Sequence, residues 1–148
     1  MFKTLAWALL IVFVGIQFFS TDRNQKEGIY VSDFMKVNTV PQMLQHKIEV
    51  SCYDCHSNNT KYPWYSRIQP AAWFLEAHIQ EGKAELNFNE WGDYSDRRKN
   101  SKLRSMISQI EDGDMPLGSY TFVHRDAEFS ESQKKEVIEY LTQLKNSL

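Results

Sequence analysis

The only two cysteines of the chain, Cys52 and Cys55, are separated by two residues, and His56 directly follows the second. Two thiols one helical turn apart can each form a thioether to a vinyl group of a haem, while the next residue presents its imidazole to the iron. The spacing therefore predicts one covalent c-type haem, attached through Cys52 and Cys55, with His56 as an axial ligand.

Other chemistries of this motif fit less well. A zinc ion needs four ligands, and the other histidines (His46, His78 and His124) lack a paired spacing. A thioredoxin-like redox pair follows a βαβ pattern, and none precedes Cys52. A disulfide across two residues closes a loop too small to add much stability. Zinc, a redox pair, a disulfide and a chance spacing stay as alternatives to haem.

The preferred second axial ligand is Met115 in "GDMPLGSY". It follows a predicted helix end and precedes Pro116, so a rigid loop presents its thioether to the iron. Met106 belongs to the apolar stripe of a predicted helix, and His78 is the best histidine alternative. The weaker candidates are Met35, Met43, His46 and His124. An open sixth position is the remaining alternative.

Long aromatic segments between the predicted helices indicate the wall of a pocket for a large, flat, apolar cofactor. The candidates are Tyr62, Trp64, Tyr65, Trp73, Phe74, Phe88, Trp91, Tyr120 and Phe122. Arg67 is a candidate counter-charge for a haem propionate, and His124 is a candidate hydrogen-bond partner for one. The carbonyl of Pro63 or Pro70 is expected to accept a hydrogen bond from the second nitrogen of His56 and orient its ring.

Four helices must position these residues. Apolar residues spaced three and four apart predict helices over residues 39–51, 70–81, 96–111 and 130–144. Their predicted ends are two capping boxes, Thr39 with Gln42 and Ser130 with Gln133, and two glycine stops, Gly82 and Gly113. No alternating pattern indicates a sheet, so the predicted class is mostly α.

The N-terminal residues differ from the rest. Lys3 precedes an uncharged apolar run from Leu5 to Ile16, which predicts an uncleaved signal-anchor helix over residues 1–20. A linker and extended lead-in over residues 21–38 and a single helical domain over residues 39–148 follow. Lys3 on the cytoplasmic side places that domain in the periplasm, at the outer face of the cytoplasmic membrane. A net charge of -2 argues against nucleic-acid binding.

These residues resemble a known family. The run "CYDCHSNNTKYPWYSRIQPAAWFLEAHIQEGKAELNFNEW", followed by "DGDMPLGSYTFVH", is similar to the haem-binding domain family of bacterial membrane-anchored c-type cytochrome modules. The resemblance covers about residues 30–148. It implies covalent haem at Cys52 and Cys55, iron ligation by His56, and Met115 as the sixth ligand. It also implies a cytochrome c-like fold, in which residues 39–51 pack against residues 130–144.

The expected function is electron transfer by a monohaem c-type cytochrome that is not an enzyme. An iron held on both faces cannot easily bind a substrate, and a methionine ligand raises its reduction potential. The redox partner protein is not identified by the sequence. The alternative is a haem-based sensor or a peroxidase-like enzyme with an open or displaceable sixth ligand.

Overall fold

Every regular element of the structure is helical. The computed structural model describes residues Met1 to Leu148. Its helices are α1 (Phe2–Ile16), α2 (Phe34–Val37), α3 (Gln42–Ile48), α4 (Asp54–His56), α5 (Ala71–Glu85), α6 (Asp96–Asp112), α7 (Gly118–Val123) and α8 (Glu131–Asn146). A π-helical turn covers Glu49–Tyr53, and 3-10 turns cover Trp64–Arg67, Phe88–Asp93 and Arg125–Ala127. Strand-like pairing is limited to one isolated bridge between Gln25 and Asn59, so the mostly α class is confirmed.

Helices α6 and α8 form the main packing pair of the core. Leu103 and Ile110 of α6 and Val137 and Leu141 of α8 are all buried, as their spacing on one face of each helix predicts. Helix α3 also contacts α8. The predicted contact of residues 39–51 with residues 130–144 is therefore present, although α6 is the larger partner of α8.

The segment over residues 21–38, predicted as a linker and lead-in, contributes to the interior. Phe34 is fully buried and packs edge to face on Phe88 and Trp91, with ring centroids 5.1 and 5.0 Å away. Asn24 is also buried, and its side-chain amide donates to the Ser57 carbonyl at 2.8 Å. Residues 21–38 are thus hydrogen-bonded to Ser57, the residue that directly follows His56.

The ends of the helices show which of the predicted caps and glycine stops are correct. The capping box of Ser130 with Gln133 is formed, and Gly113 ends α6 in the left-handed conformation with φ 78°. The predicted capping box at Thr39 is wrong, because α3 begins at Gln42 and the extended Pro41 takes the N-cap position. Proline has no side-chain acceptor, so this helix begins without a side-chain cap.

Helix α1 has 15 residues and contributes no buried side chain. No helix in the structure combines the length and the apolar character needed to cross a bilayer. The structure therefore gives no support to the signal-anchor helix predicted over residues 1–20.

The α6 and α8 contact yields a stability prediction. Leu141 is completely buried, so Leu141→Ala should lower the free energy of unfolding by about 2 to 5 kcal/mol through lost burial and a residual cavity. The control is Met43→Ala, whose side chain is 76% exposed and whose loss should cost below about 0.5 kcal/mol. Urea unfolding followed by circular dichroism measures both. Similar small losses in the two variants would contradict the assigned core.

Candidate functional site

A cavity of about 470 Å³ opens beside the motif that contains both cysteines. Cys52, Cys55, His56 and Met115 all line it, although Met115 is far from the other three in sequence. The remaining wall comes mainly from the last turns of α5, one face of α6 and the loop before α7. This volume lies within the range of small-molecule and cofactor sites, which is about 300 to 1,000 Å³.

The two cysteines are free thiols on consecutive helical elements, the π-helical turn and α4. Burial raises the pKa of Cys52 to about 12, with a smaller contribution from Cys55. Burial, followed by the charge of Asp54, raises the pKa of Cys55 to about 11. Both side chains are therefore protonated at neutral pH. A redox pair would instead need an accessible thiolate.

The ring of His56 is oriented by two backbone carbonyls. Its Nδ1 lies 2.8 Å from the Gly82 oxygen and 3.1 Å from the Leu86 oxygen, so Nδ1 carries the hydrogen and donates it. Burial lowers the pKa of His56, and these carbonyls partly oppose the shift. The imidazole is therefore neutral, and the lone pair of Nε2 is left to bind a metal.

These contacts correct one prediction. The carbonyls that orient His56 belong to Gly82 and Leu86, near the end of α5, and not to Pro63 or Pro70. The predicted helix stop at Gly82 is also wrong, because α5 continues to Glu85. A glycine is required there for a different reason. A Cβ atom on Gly82 would lie 2.9 Å from the Cys55 carbonyl oxygen, so only glycine lets α5 approach α4 this closely.

Met115 reaches the cavity from the loop between α6 and α7. Its backbone N–H donates to the Gln109 carbonyl at 3.1 Å, which ties the loop to the last turn of α6. Met106 and His78 also line the cavity. Among the weaker candidates, Met35, Met43, His46 and His124 do not line it.

The cavity carries charge at α5 and α6. Glu81, Glu85 and Lys102 contribute to its wall, and the Lys102 ammonium lies 3.5 Å from the Glu85 carboxylate. Arg67, the predicted counter-charge, does not line the cavity. The position of Lys102 on the cavity could have been predicted from the sequence, because Lys102 lies four residues before Met106 and therefore shares its helical face.

The predicted aromatic wall is only partly assembled here. Tyr120 and Phe88 line the cavity, whereas Tyr62, Trp64, Tyr65 and Trp73 do not. Trp91 belongs to the core, and Phe74 and Phe122 are exposed. The other four aromatic side chains lie elsewhere. The Tyr62 hydroxyl donates to the Glu76 carboxylate, and the Tyr65 hydroxyl is bonded to the His124 ring. Trp64 and Trp73 are exposed at the surface.

Tyr120 connects the cavity to the helix that carries the motif. Its hydroxyl donates to the Asp54 carboxylate at 2.8 Å, and its ring stacks on His124 with centroids 4.4 Å apart. Burial raises the pKa of Tyr120, and the neighbouring Asp54 charge adds to the shift. The tyrosine is therefore a neutral donor that fixes α7 against α4.

Comparison with protein families gives one match. Residues 11–143 match the family model described as "Haem-binding domain". No curated protein and no solved structure shows significant similarity to the chain.

The close approach at Gly82 is testable with a matched glycine. Gly82→Ala adds a Cβ only 2.9 Å from the Cys55 oxygen and 3.3 Å from the Cys55 Cβ, so α4 must move away from α5. We expect a loss of about 1 to 3 kcal/mol in the free energy of unfolding and a lower haem content per chain.

The control for this prediction is Gly118→Ala, since a Cβ there meets no atom within 4 Å. Its stability should be unchanged or raised by up to about 1 kcal/mol, because alanine favours the helix. Haem absorbance per chain and urea unfolding measure both variants. Equal haem content and equal stability in the two would show that the approach at Gly82 is not needed.

Proposed function

We propose that this chain, which belongs to the haem-binding domain family, is a monohaem c-type cytochrome that transfers electrons. Cys52 and Cys55 would hold the haem through thioethers, and His56 and Met115 would be its axial ligands. The observation that supports this most directly is the single cavity on which all four side chains meet.

The donor set of the cavity fits a haem. Imidazole nitrogen and methionine sulfur are the axial ligands of c-type cytochromes. The neutral His56 ring, held by Gly82 and Leu86, has Nε2 free for the iron. Leu86, Phe88 and Ile110 supply apolar wall. When bound, haem supplies an iron that cycles between the ferric and ferrous states.

Met115 is a better candidate than the other donors on the cavity. Met106 packs against the buried core and lies in the middle of α6, so its thioether already has a packing role. His78 is exposed, and it belongs to α5, the same helix whose Gly82 carbonyl holds His56. Met115 belongs to a loop whose backbone is bonded to α6, and its side chain is not part of the buried core cluster, so it can serve as a ligand.

The residues of this chain support electron transfer over substrate chemistry. With His56 and Met115 both serving as ligands, a bound haem iron would have no free position for a substrate, and the protein would only have to hold its two redox states. Lys102 is the one cationic side chain on the cavity, so it is the counter-charge available to a haem propionate. No arginine lines the cavity as a distal partner for peroxide.

The proposed location is the outer face of the cytoplasmic membrane, with α1 in contact with lipid. Lys3 followed by an uncharged apolar run supports export and membrane attachment. Haem attachment to a CxxCH motif takes place outside the cytoplasm, which agrees with this location.

The proposal is tested first by covalent attachment. Protein made in cells with haem-attachment machinery should retain haem on a denaturing gel, and the double variant Cys52→Ala, Cys55→Ala should lose it. His56→Ala should abolish a stable low-spin spectrum, whereas His46→Ala, the control on an exposed histidine, should leave it unchanged. Absence of covalent haem in the unmutated protein would contradict the proposal.

The sixth ligand is tested with two methionines that line the same cavity. Met115→Leu should remove the methionine-to-iron charge-transfer band, lower the reduction potential and allow carbon monoxide to bind. Met106→Leu, which changes shape similarly, should retain the band and exclude carbon monoxide. High-spin iron and ready carbon monoxide binding in the unmutated protein would instead favour a sensor or enzyme.

A further inference from the structure

We infer that the surface formed by Trp64, Ile68, Trp73 and Phe74 is a docking face for a lipid membrane. These side chains, called here the aromatic patch, are 78%, 39%, 38% and 66% exposed. Trp64 lies on the 3-10 turn before α5, Ile68 directly follows that turn, and Trp73 and Phe74 lie on the first turn of α5, which contacts the 3-10 turn. The inference goes beyond the haem site, and it rests on the proposed attachment of α1 to lipid.

The end of α1 is fixed to the middle of this patch. The Gln17 side chain donates to the Gln69 carbonyl at 3.1 Å and accepts from the Gln69 N–H at 2.9 Å. The Gln69 side chain in turn donates to the Phe19 carbonyl at 2.7 Å. Gln69 is only 4% exposed and lies between Ile68 and Pro70. These bonds therefore hold the aromatic patch at the same level as the C-terminal end of α1.

The exposed apolar surface of helix α1 indicates that the partner of the aromatic patch is lipid. It has no buried residue, and from Leu5 to Ile16 it carries no charge. Side chains spread over all its faces are exposed, among them Trp7 at 65%, Ile11 at 68% and Phe13 at 46%. A groove on another protein covers one side of such a helix, whereas lipid covers every side. The end of a lipid-embedded helix lies at the membrane interface.

The composition of the patch suits that interface. Tryptophan is enriched where the bilayer meets water, because its ring is apolar and its N–H can bond to polar headgroups. Arg67 is the only charged residue in residues 62–74. Arg23 is held to the same turn by a 2.9 Å hydrogen bond to Ser66. Arg67 and the bound Arg23 are two cations at this turn, and residues 62–74 contain no acidic side chain, which favours anionic headgroups.

Docking through this patch would orient the haem site. Helix α5 carries Trp73 and Phe74 in its first turn and Gly82, whose carbonyl holds His56, in its last turns. The rise of an α-helix separates these two positions by about 13 Å. The patch would therefore place the cavity at a defined distance from the membrane surface.

The test is photo-labelling of the full-length haem-loaded protein in vesicles of phosphatidylcholine and phosphatidylglycerol that contain a diazirine lipid. Mass spectrometry maps the labelled residues. Peptides with Trp64, Trp73 and Phe74 should carry about fivefold more label than peptides with Val31 and Met43, which are exposed apolar residues elsewhere on the domain.

A pair of glutamine variants tests the role of α1. Gln17→Ala removes both hydrogen bonds to the Gln69 backbone, so label on the patch should fall to the level of Val31 and Met43 while α1 stays labelled. The control is Gln143→Ala on the exposed face of α8, which should leave the pattern unchanged.

The outcomes separate this inference from the proposed function. Label on α1 without label on the patch would overturn the docking face and leave membrane attachment intact. No label on α1 would overturn both. Equal label on the patch and on the control peptides would also overturn the docking face. The covalent haem and its axial ligands are judged independently, from the spectra.

Discussion

The approach of α5 to α4 at Gly82 is the contact on which the site depends. At this point the backbone of one helix lies against the backbone of the other, and no side chain fits between them. The same approach brings the Gly82 and Leu86 carbonyls to Nδ1 of His56. Ring orientation, tautomer and the free Nε2 atom thus all follow from one packing distance.

The opposite wall of the cavity depends on the core. Leu103 and Ile110 anchor α6 against α8, and the same helix presents Lys102 and Met106 to the cavity. Gly113 then ends α6, and the following backbone returns to the Gln109 carbonyl, which positions Met115. Apolar periodicity along α6 therefore also positions the side chains that this helix contributes to the site.

Local patterns predicted the parts of this structure that short-range physics determines. The capping box at Ser130 and the stop at Gly113 depend on residues within one turn of each other. The helix stop predicted at Gly82 is wrong because the role of this glycine depends on Cys55, 27 positions earlier, and no local sequence pattern indicates such a contact. Similarly, aromatic residue type alone does not distinguish Phe88, which lines the cavity, from Tyr62 and Trp64, which do not.

The cavity and the core share residues, which connects cofactor binding to folding. Leu86, Phe88 and Ile110 are buried core residues that also form cavity wall, and Cys52 and Met106 pack against the same core. A domain of this size has few apolar residues to spare for a wall of this kind. A haem that fills the cavity completes the packing of these side chains only when the chain is folded. The contacts between the haem and the cavity wall would therefore stabilise the helices that position the groups holding it.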